Sequence, residues 1–323
     1  MEGDAGVPGG FAQPLEALLV RGTGAAEEQG DRDRLGHGAI VPPRRIALPT
    51  DHTDPDRPIG VFDSGVGGLT VLDECLATLP GEDFVYFGDT DAFPYGTKED
   101  QWLRQRALDV AAWLLAERVK LIVIACNTAT AAALGWLQRR VEVPVIGVMG
   151  PEAHAAVQAT RNRRIGLLAT EATVRSGSYE RMIRTHDEGA AVTSVPCPLL
   201  APAIQTGDRF DQAIVDLVRE YTGPLRESGV DTAILGCTHY PMIERLLRRS
   251  LPGVTLIKSG EEIAREVAET LDRKGLRRPD GREGEYRFAC SGDPASFREL
   301  GSRFLQMPLG EVARVDPSRR AVV

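Results

Sequence analysis

The chain has 323 residues, a formal net charge of −8 and a hydrophobic content of 42%. That length carries two domains with a sizeable core, and the acidic balance speaks against nucleic acid or an anionic membrane as a main partner while leaving a small anionic substrate open. No apolar run reaches the length of a membrane span, and the start Met1-Glu2-Gly3-Asp4 lacks the basic and apolar stretches of a secretory signal. The five cysteines, at 75, 126, 197, 237 and 290, are odd in number and form no C-x-x-C pair. This argues against a disulfide framework or a zinc site and fits a reducing cytoplasm.

Residues 1–58 are rich in Gly, Pro, Asp and Arg without sustained periodicity. The expectation is a flexible extension, with one short apolar patch from Phe11 to Val20. From Pro58 onward strands and helices alternate. Ile59–Phe62 reads as a buried strand. A helix with Leu69, Leu72, Leu76 and Leu79 on one face follows, and Pro80-Gly81 ends it. Phe84–Phe87 is a second strand, Glu99–Arg118 a long helix, and Leu121–Ala125 a third strand. An alanine-rich helix from Thr128 to Arg139 and a strand at Val143–Val148 complete this run.

The pattern then restarts. Arg164–Thr170 repeats the strand-Gly-strand shape of Pro58–Ser64. A helix is expected over Thr173–Arg184, a strand over Val192–Val195, a helix over Asp211–Glu227 and a strand over Thr232–Leu235. Gly60 and Gly166, like Cys126 and Cys237, recur at nearly one offset, the signature of a duplicated half-domain. The strand Val254–Ile257, helix Glu261–Asp272, strand Tyr286–Ala289 and helix Pro294–Leu305 form a tail expected to complete the first sheet. The first domain is thereby discontinuous, 59–150 plus 259–310, with 151–258 as the second and 311–323 as a C-terminal tail. Alternation of this kind predicts an α/β fold with parallel sheets and right-handed crossovers.

Cys126 and Cys237 each stand where an apolar strand gives way to a polar turn, as parallel α/β sheets present reactive groups. A helix N-terminus after each thiol favours the thiolate and supplies N–H groups for a carboxylate. A cysteine at a strand end is usually packing; two, each followed by Asn-Thr or Thr-His, point to proton transfer on opposite faces of one carbon. Cys75, Cys197 and Cys290 lack that setting and read as structural. Asp63, ahead of Ser64-Gly65-Val66-Gly67-Gly68, either exchanges a proton with a thiol or caps a helix. The glycine turn is neither G-x-G-x-x-G nor a P-loop. His239 is a second proton carrier or a histidine fixed by a carbonyl. Pro94-Tyr95-Gly96 is a turn that places a phenol and an N–H over a cleft, or a plain surface turn.

Four separated segments carry a resemblance: IGVFDSGVGGLTVL (59–72), YFGDTDAFPYGTK (86–98), IACNTAT (124–130) and LGCTHYP (235–241). Together they resemble the glutamate racemases of the aspartate/glutamate racemase superfamily over residues 59 to 305. The resemblance implies two flavodoxin-like domains with the active site between them, no pyridoxal phosphate, no metal and no other cofactor. It implies Cys126 and Cys237 as the two acid/bases, Asp63 assisting the first and His239 the second. Ser64, Tyr95, Gly96, Asn127, Thr128 and Thr238 would hold glutamate, with Thr170 and Thr173 as lesser candidates. The implied activity is interconversion of L- and D-glutamate for peptidoglycan synthesis in the cytoplasm, with no nucleic-acid or membrane partner, and it allows a homodimer. Racemisation of aspartate, or a non-catalytic regulatory protein on the same scaffold, stays open. One position departs from the family pattern: after Cys197-Pro198, Gln205 stands where a glutamate is common. A neutral amide cannot support a protonated histidine as a carboxylate does, which would slow the half-reaction at Cys237.

Overall fold

Short apolar runs buried on both faces suit the strands of a covered parallel sheet, and such runs form the centre of each half of this protein. The computed structural model describes residues 53–206, 211–279 and 281–319. In the first half β1 (Ile59–Asp63), β2 (Phe84–Gly88), β3 (Leu121–Ile124) and β4 (Val145–Gly147) are buried throughout. They alternate with α1 (Leu69–Thr78), α2 (Asp100–Ala116) and α3 (Asn127–Gln138). The helix α4 (Met149–Ala159) leads into the second half.

There β5 (Arg164–Ala169), β6 (Ala191–Pro196), β7 (Thr232–Gly236) and β8 (Thr255–Lys258) alternate with five helices, the first two a consecutive pair. These are α5 (Glu171–Ser176), α6 (Ser178–His186), α7 (Leu200–Thr206), α8 (Gln212–Glu227) and α9 (Glu244–Ser250). The chain then returns through α10 (Glu261–Lys274), β9 (Tyr286–Cys290), α11 (Pro294–Leu305) and β10 (Val312–Arg314). The six-stranded sheet has the order β10-β9-β2-β1-β3-β4 and the four-stranded sheet the order β6-β5-β7-β8. Every pairing is parallel. Each half therefore repeats one order, second strand, first, third, fourth, which is the flavodoxin-like arrangement whose ligand crevice lies beyond the strand C-termini. Thus β1 matches β5, and β3, ahead of Cys126, matches β7, ahead of Cys237.

Several expectations need correction. β8 pairs with β7 in the second sheet, so only β9 and β10 return to the first, and β10 lies within the stretch read as a tail. The helix expected over Thr173–Arg184 is two helices, because Gly177 adopts a left-handed φ of 59° that ends α5 and starts α6. The helices α4, α7 and α9 were not foreseen. Gly150-Pro151 and Pro202 look like helix breakers, yet proline is tolerated in a first turn. Residues 53–58 were assigned to a flexible extension. Instead Lys120 Nζ binds the Pro55 carbonyl at 2.5 Å, Arg278 Nη2 binds that of Asp56, and Arg57 is buried. The rest of that extension, with the patch Phe11–Val20, lies outside the described residues.

Candidate active site

The two selected cysteines occupy equivalent places. Cys126 follows β3 and Cys237 follows β7, and both line one small cavity between the two sheets. Backbone closeness makes this possible. A methyl group on Gly67 would lie 2.4 Å from Thr238 Oγ1 and 2.6 Å from His239 Nδ1. One on Gly96 would lie 2.8 Å from the Thr170 side chain. Glycine at these two points lets loops of the first half touch loops of the second.

On the first side, the turn after β1 wraps Asp63. Gly65 N–H donates to its Oδ2 at 3.0 Å, and Thr238 Oγ1 reaches across to its Oδ1 at 3.3 Å. The residue capping α1 is Gly68, so Asp63 is not that helix's N-cap. Its carboxyl is fully buried, and burial pushes the pKa up to about 6 against the pull of Gly65, Gly68, Thr238 and Ser64. Cys126 caps α3, its sulfur accepting from Ala129 N–H at 3.5 Å. The helix terminus was expected to favour thiolate. Burial wins: it pushes the Cys126 thiol up to about 12, Asp63 adds to the rise, and the Ala129 and Ser64 contacts only moderate it.

On the second side, a 3-10 turn (Tyr240–Ile243) follows Cys237 before α9, so no α-helix begins at this thiol as had been expected. Pro241 in that turn removes an N–H that a helix would use. Burial raises the Cys237 thiol well above its ordinary value, opposed by the His239 backbone N–H. Cys237 Sγ stands 3.8 Å from His239 Nδ1, and His239 Nε2 stands 3.0 Å from Gln205 Oε1. The amide oxygen can only accept, so Nε2 carries the hydrogen and Nδ1 presents a lone pair to the thiol. Phe93 and Phe304 enclose the imidazole, at 5.3 and 5.4 Å between ring centroids. Burial lowers the His239 pKa to about 4, which keeps it neutral.

The remaining candidates divide. Ser64, Tyr95, Gly96, Asn127, Thr128 and Thr170 line the cavity, as does Thr238. Thr173 is buried behind it, its hydroxyl 3.2 Å from that of Thr128 and 3.0 Å from that of Thr170. Thr170 also caps α5. The Tyr95 phenol is not free over the cleft: it donates to Asp89 Oδ2 at 2.6 Å, and Arg106 clamps the same carboxylate at 2.7 and 2.6 Å. Asp89 and Arg106 were missed, as were Phe93 and Phe304. The one available signal was Asp89 itself, which follows β2 as Asp63 ends the adjacent β1. Cys75, Cys197 and Cys290 are buried and line no part of this cavity. The cavity measures ≈ 20 Å³, room for about one water, so an amino acid enters only if the loops part. A larger cavity of ≈ 630 Å³, between Pro241–Arg248 and Gln306, holds neither thiol.

Two buried thiols face one cavity, with His239 Nδ1 3.8 Å from one sulfur and the Asp63 carboxyl raising the pKa of the other, an arrangement suited to proton transfer at a carbon. Comparison with known proteins agrees. The Asp/Glu/hydantoin racemase family matches residues 59–267. The chain belongs to that family. A glutamate racemase of Geobacter metallireducens is 43% identical over 262 residues, covering 81% of this chain and 97% of its own. Among solved structures, the glutamate racemase isoform RacE1 of Bacillus anthracis superposes with a TM-score of 0.78 at 37% identity, covering 80% of this chain and 97% of that one. The glutamate racemase of Francisella tularensis, solved in complex with D-glutamate, gives 0.77 at 33% identity, covering 82% and 100%. With these relatives the chain shares the racemase fold, and among its described residues no helix is long and apolar enough to cross a membrane.

Proposed function

We propose that this racemase-family enzyme interconverts L- and D-glutamate by two opposed thiols, without a cofactor, and so supplies D-glutamate for peptidoglycan in the cytoplasm. The observation that carries the reading is the placement of Cys126 and Cys237 on one cavity, each at the end of the equivalent strand of its half. The names of the relatives, and the D-glutamate bound to one of them, point to the substrate. We also read the catalytic halves as 59–150 with 259–310 and as 151–258.

Burial holds both thiols neutral. A bound glutamate brings an ammonium beside them, and an opposite charge at close range favours thiolate. Asp63 takes the proton from Cys126, or His239 Nδ1 takes it from Cys237. The thiolate so formed then removes the α-hydrogen: the C–H bond breaks and an S–H bond forms. The opposing thiol gives its proton to the other face, leaving the configuration inverted and the two sulfurs with exchanged protonation. The carbanion between these steps needs donors aimed at its α-carboxylate in a dry site. The N–H groups at the start of α3 and the Thr128 hydroxyl supply them. Enclosure within the closed loops excludes water.

Each enantiomer is to be incubated with the purified protein in D2O, with no added cofactor. The expected product is the opposite enantiomer, deuterated at Cα. Cys126→Ser and Cys237→Ser should each lower racemisation by at least about 10³-fold, the scale of losing an essential acid/base. Full activity in either variant, or faster turnover of aspartate than of glutamate, refutes the reading.

A further inference from the structure

Glu152 lies in the first turn of α4, the helix that carries the chain from the first sheet to the second, and is 1% exposed. Three donors converge on its carboxylate. Asn127 Nδ2, from α3, stands 3.1 Å from Oε2 and 3.4 Å from Oε1. The Tyr179 hydroxyl, from α6, donates to Oε2. The Ser259 hydroxyl, in the link from β8 to α10, donates to Oε1. Asn127 Nδ2 also stands 2.7 Å from the Tyr179 oxygen. Burial pushes the Glu152 pKa up to about 7, while the three donors pull it down. All three serve the ionised form.

The network has a direct effect on the site. A carboxamide presents nitrogen at one end and oxygen at the other, and the neighbours decide which way it points. With Nδ2 engaged by Glu152 and Tyr179, Asn127 Oδ1 is left buried without a partner. Asn127 lines the cavity that holds both thiols. An amide turned the other way would offer N–H to a cationic ammonium and repel it.

We propose that Glu152, held by Tyr179 and Ser259, is a positioning residue that locks the Asn127 carboxamide with its oxygen turned to accept a hydrogen bond from the substrate ammonium. The ammonium rests on the amino-acid substrate argued above; the locking of Asn127 does not. Because the partners come from α3, α4, α6 and the link after β8, this orientation is set only when the two sheets are seated on each other.

The test combines turnover with a readout independent of it. Glu152→Gln keeps the shape but removes the ionised acceptor. Tyr179→Phe keeps the packing and removes one donor, and it serves if the first variant does not fold. Each should raise KM for both glutamate enantiomers about tenfold, the scale of one charge-assisted hydrogen bond, with kcat changed less than about threefold. In an Asn127→Ala background, Glu152→Gln should add less than about twofold, because its effect passes through Asn127. Equal losses in both backgrounds overturn the proposal. Independently, in protein labelled with ¹⁵N-asparagine, the Asn127 carboxamide proton pair, assigned by its absence in Asn127→Ala, should lose its downfield shift in Glu152→Gln. An unmoved pair overturns the proposal whatever the activity. If the unaltered enzyme turns over neither enantiomer of glutamate, the functional reading fails and the proton pair still decides the role of Glu152.

Discussion

At Asp63 burial and hydrogen bonding compete, and burial prevails, leaving the carboxyl near pH 6. Below that value the group is protonated and cannot take a proton from Cys126; above it the carboxylate can. The rate constant kcat/KM should therefore fall as pH drops through about 6, and Asp63→Asn should remove that acid limb together with most of the activity. A pH profile of both proteins checks this. The opposite partner behaves differently. His239 is neutral because it is buried against an amide. Gln205→Glu would set a carboxylate beside Nε2 and should raise the histidine pKa by about 1–3 units, read by its imidazole proton shifts. Both cysteines were legible in the sequence because a strand end followed by hydrogen-bonding residues is a local pattern. Asp89, Arg106 and Glu152 were not, because what makes them important is partners brought in from other elements, such as Tyr179 and Ser259 around Glu152. The shifted thiols were misjudged for a related reason: the helix terminus is visible in sequence, whereas the degree of burial is not.

At the scale of elements, the contact between the turn after β1 and the turn after β7 decides whether the thiols share a cavity. Gly67→Ala places a methyl group 2.4 Å from Thr238 Oγ1 and 2.6 Å from His239 Nδ1, so one turn must retreat. The variant should lose more than about tenfold in kcat/KM, since misplacement by an ångström has that order of effect, with circular dichroism unchanged. A fully active variant would show that the two turns move freely. Strands were legible because continuous apolar runs with polar ends have few other readings. The helices α4, α7 and α9 were not: Pro151 in α4 and Pro202 in α7 sit where a first turn tolerates them, and α7 and α9 are too short to show periodicity.

For the whole molecule, the duplicated order of strands was legible from spacing, but the seating of the N-terminal segment was not. Lys120 and Glu82 form a fully buried pair at 2.5 Å, and Lys120 also holds Pro55. Arg278, far along the chain, binds Asp83 at 2.7 Å and the carbonyl of Asp56. Lys120→Met removes the cation from Glu82 and leaves it only the Arg278 backbone N–H at 2.9 Å, and should lower stability by about 3–5 kcal/mol in urea unfolding. Adding Glu82→Leu should recover much of that loss; a single variant as stable as the parent would mean the pair is not desolvated. The place of β9 beside β2 bears on biosynthesis. A ribosome releases every strand of the four-stranded sheet before β9 emerges, so the half encoded in the middle can finish folding first. The flank of β2 meanwhile waits with open hydrogen-bonding groups, which makes the nascent chain most vulnerable to aggregation just before translation ends.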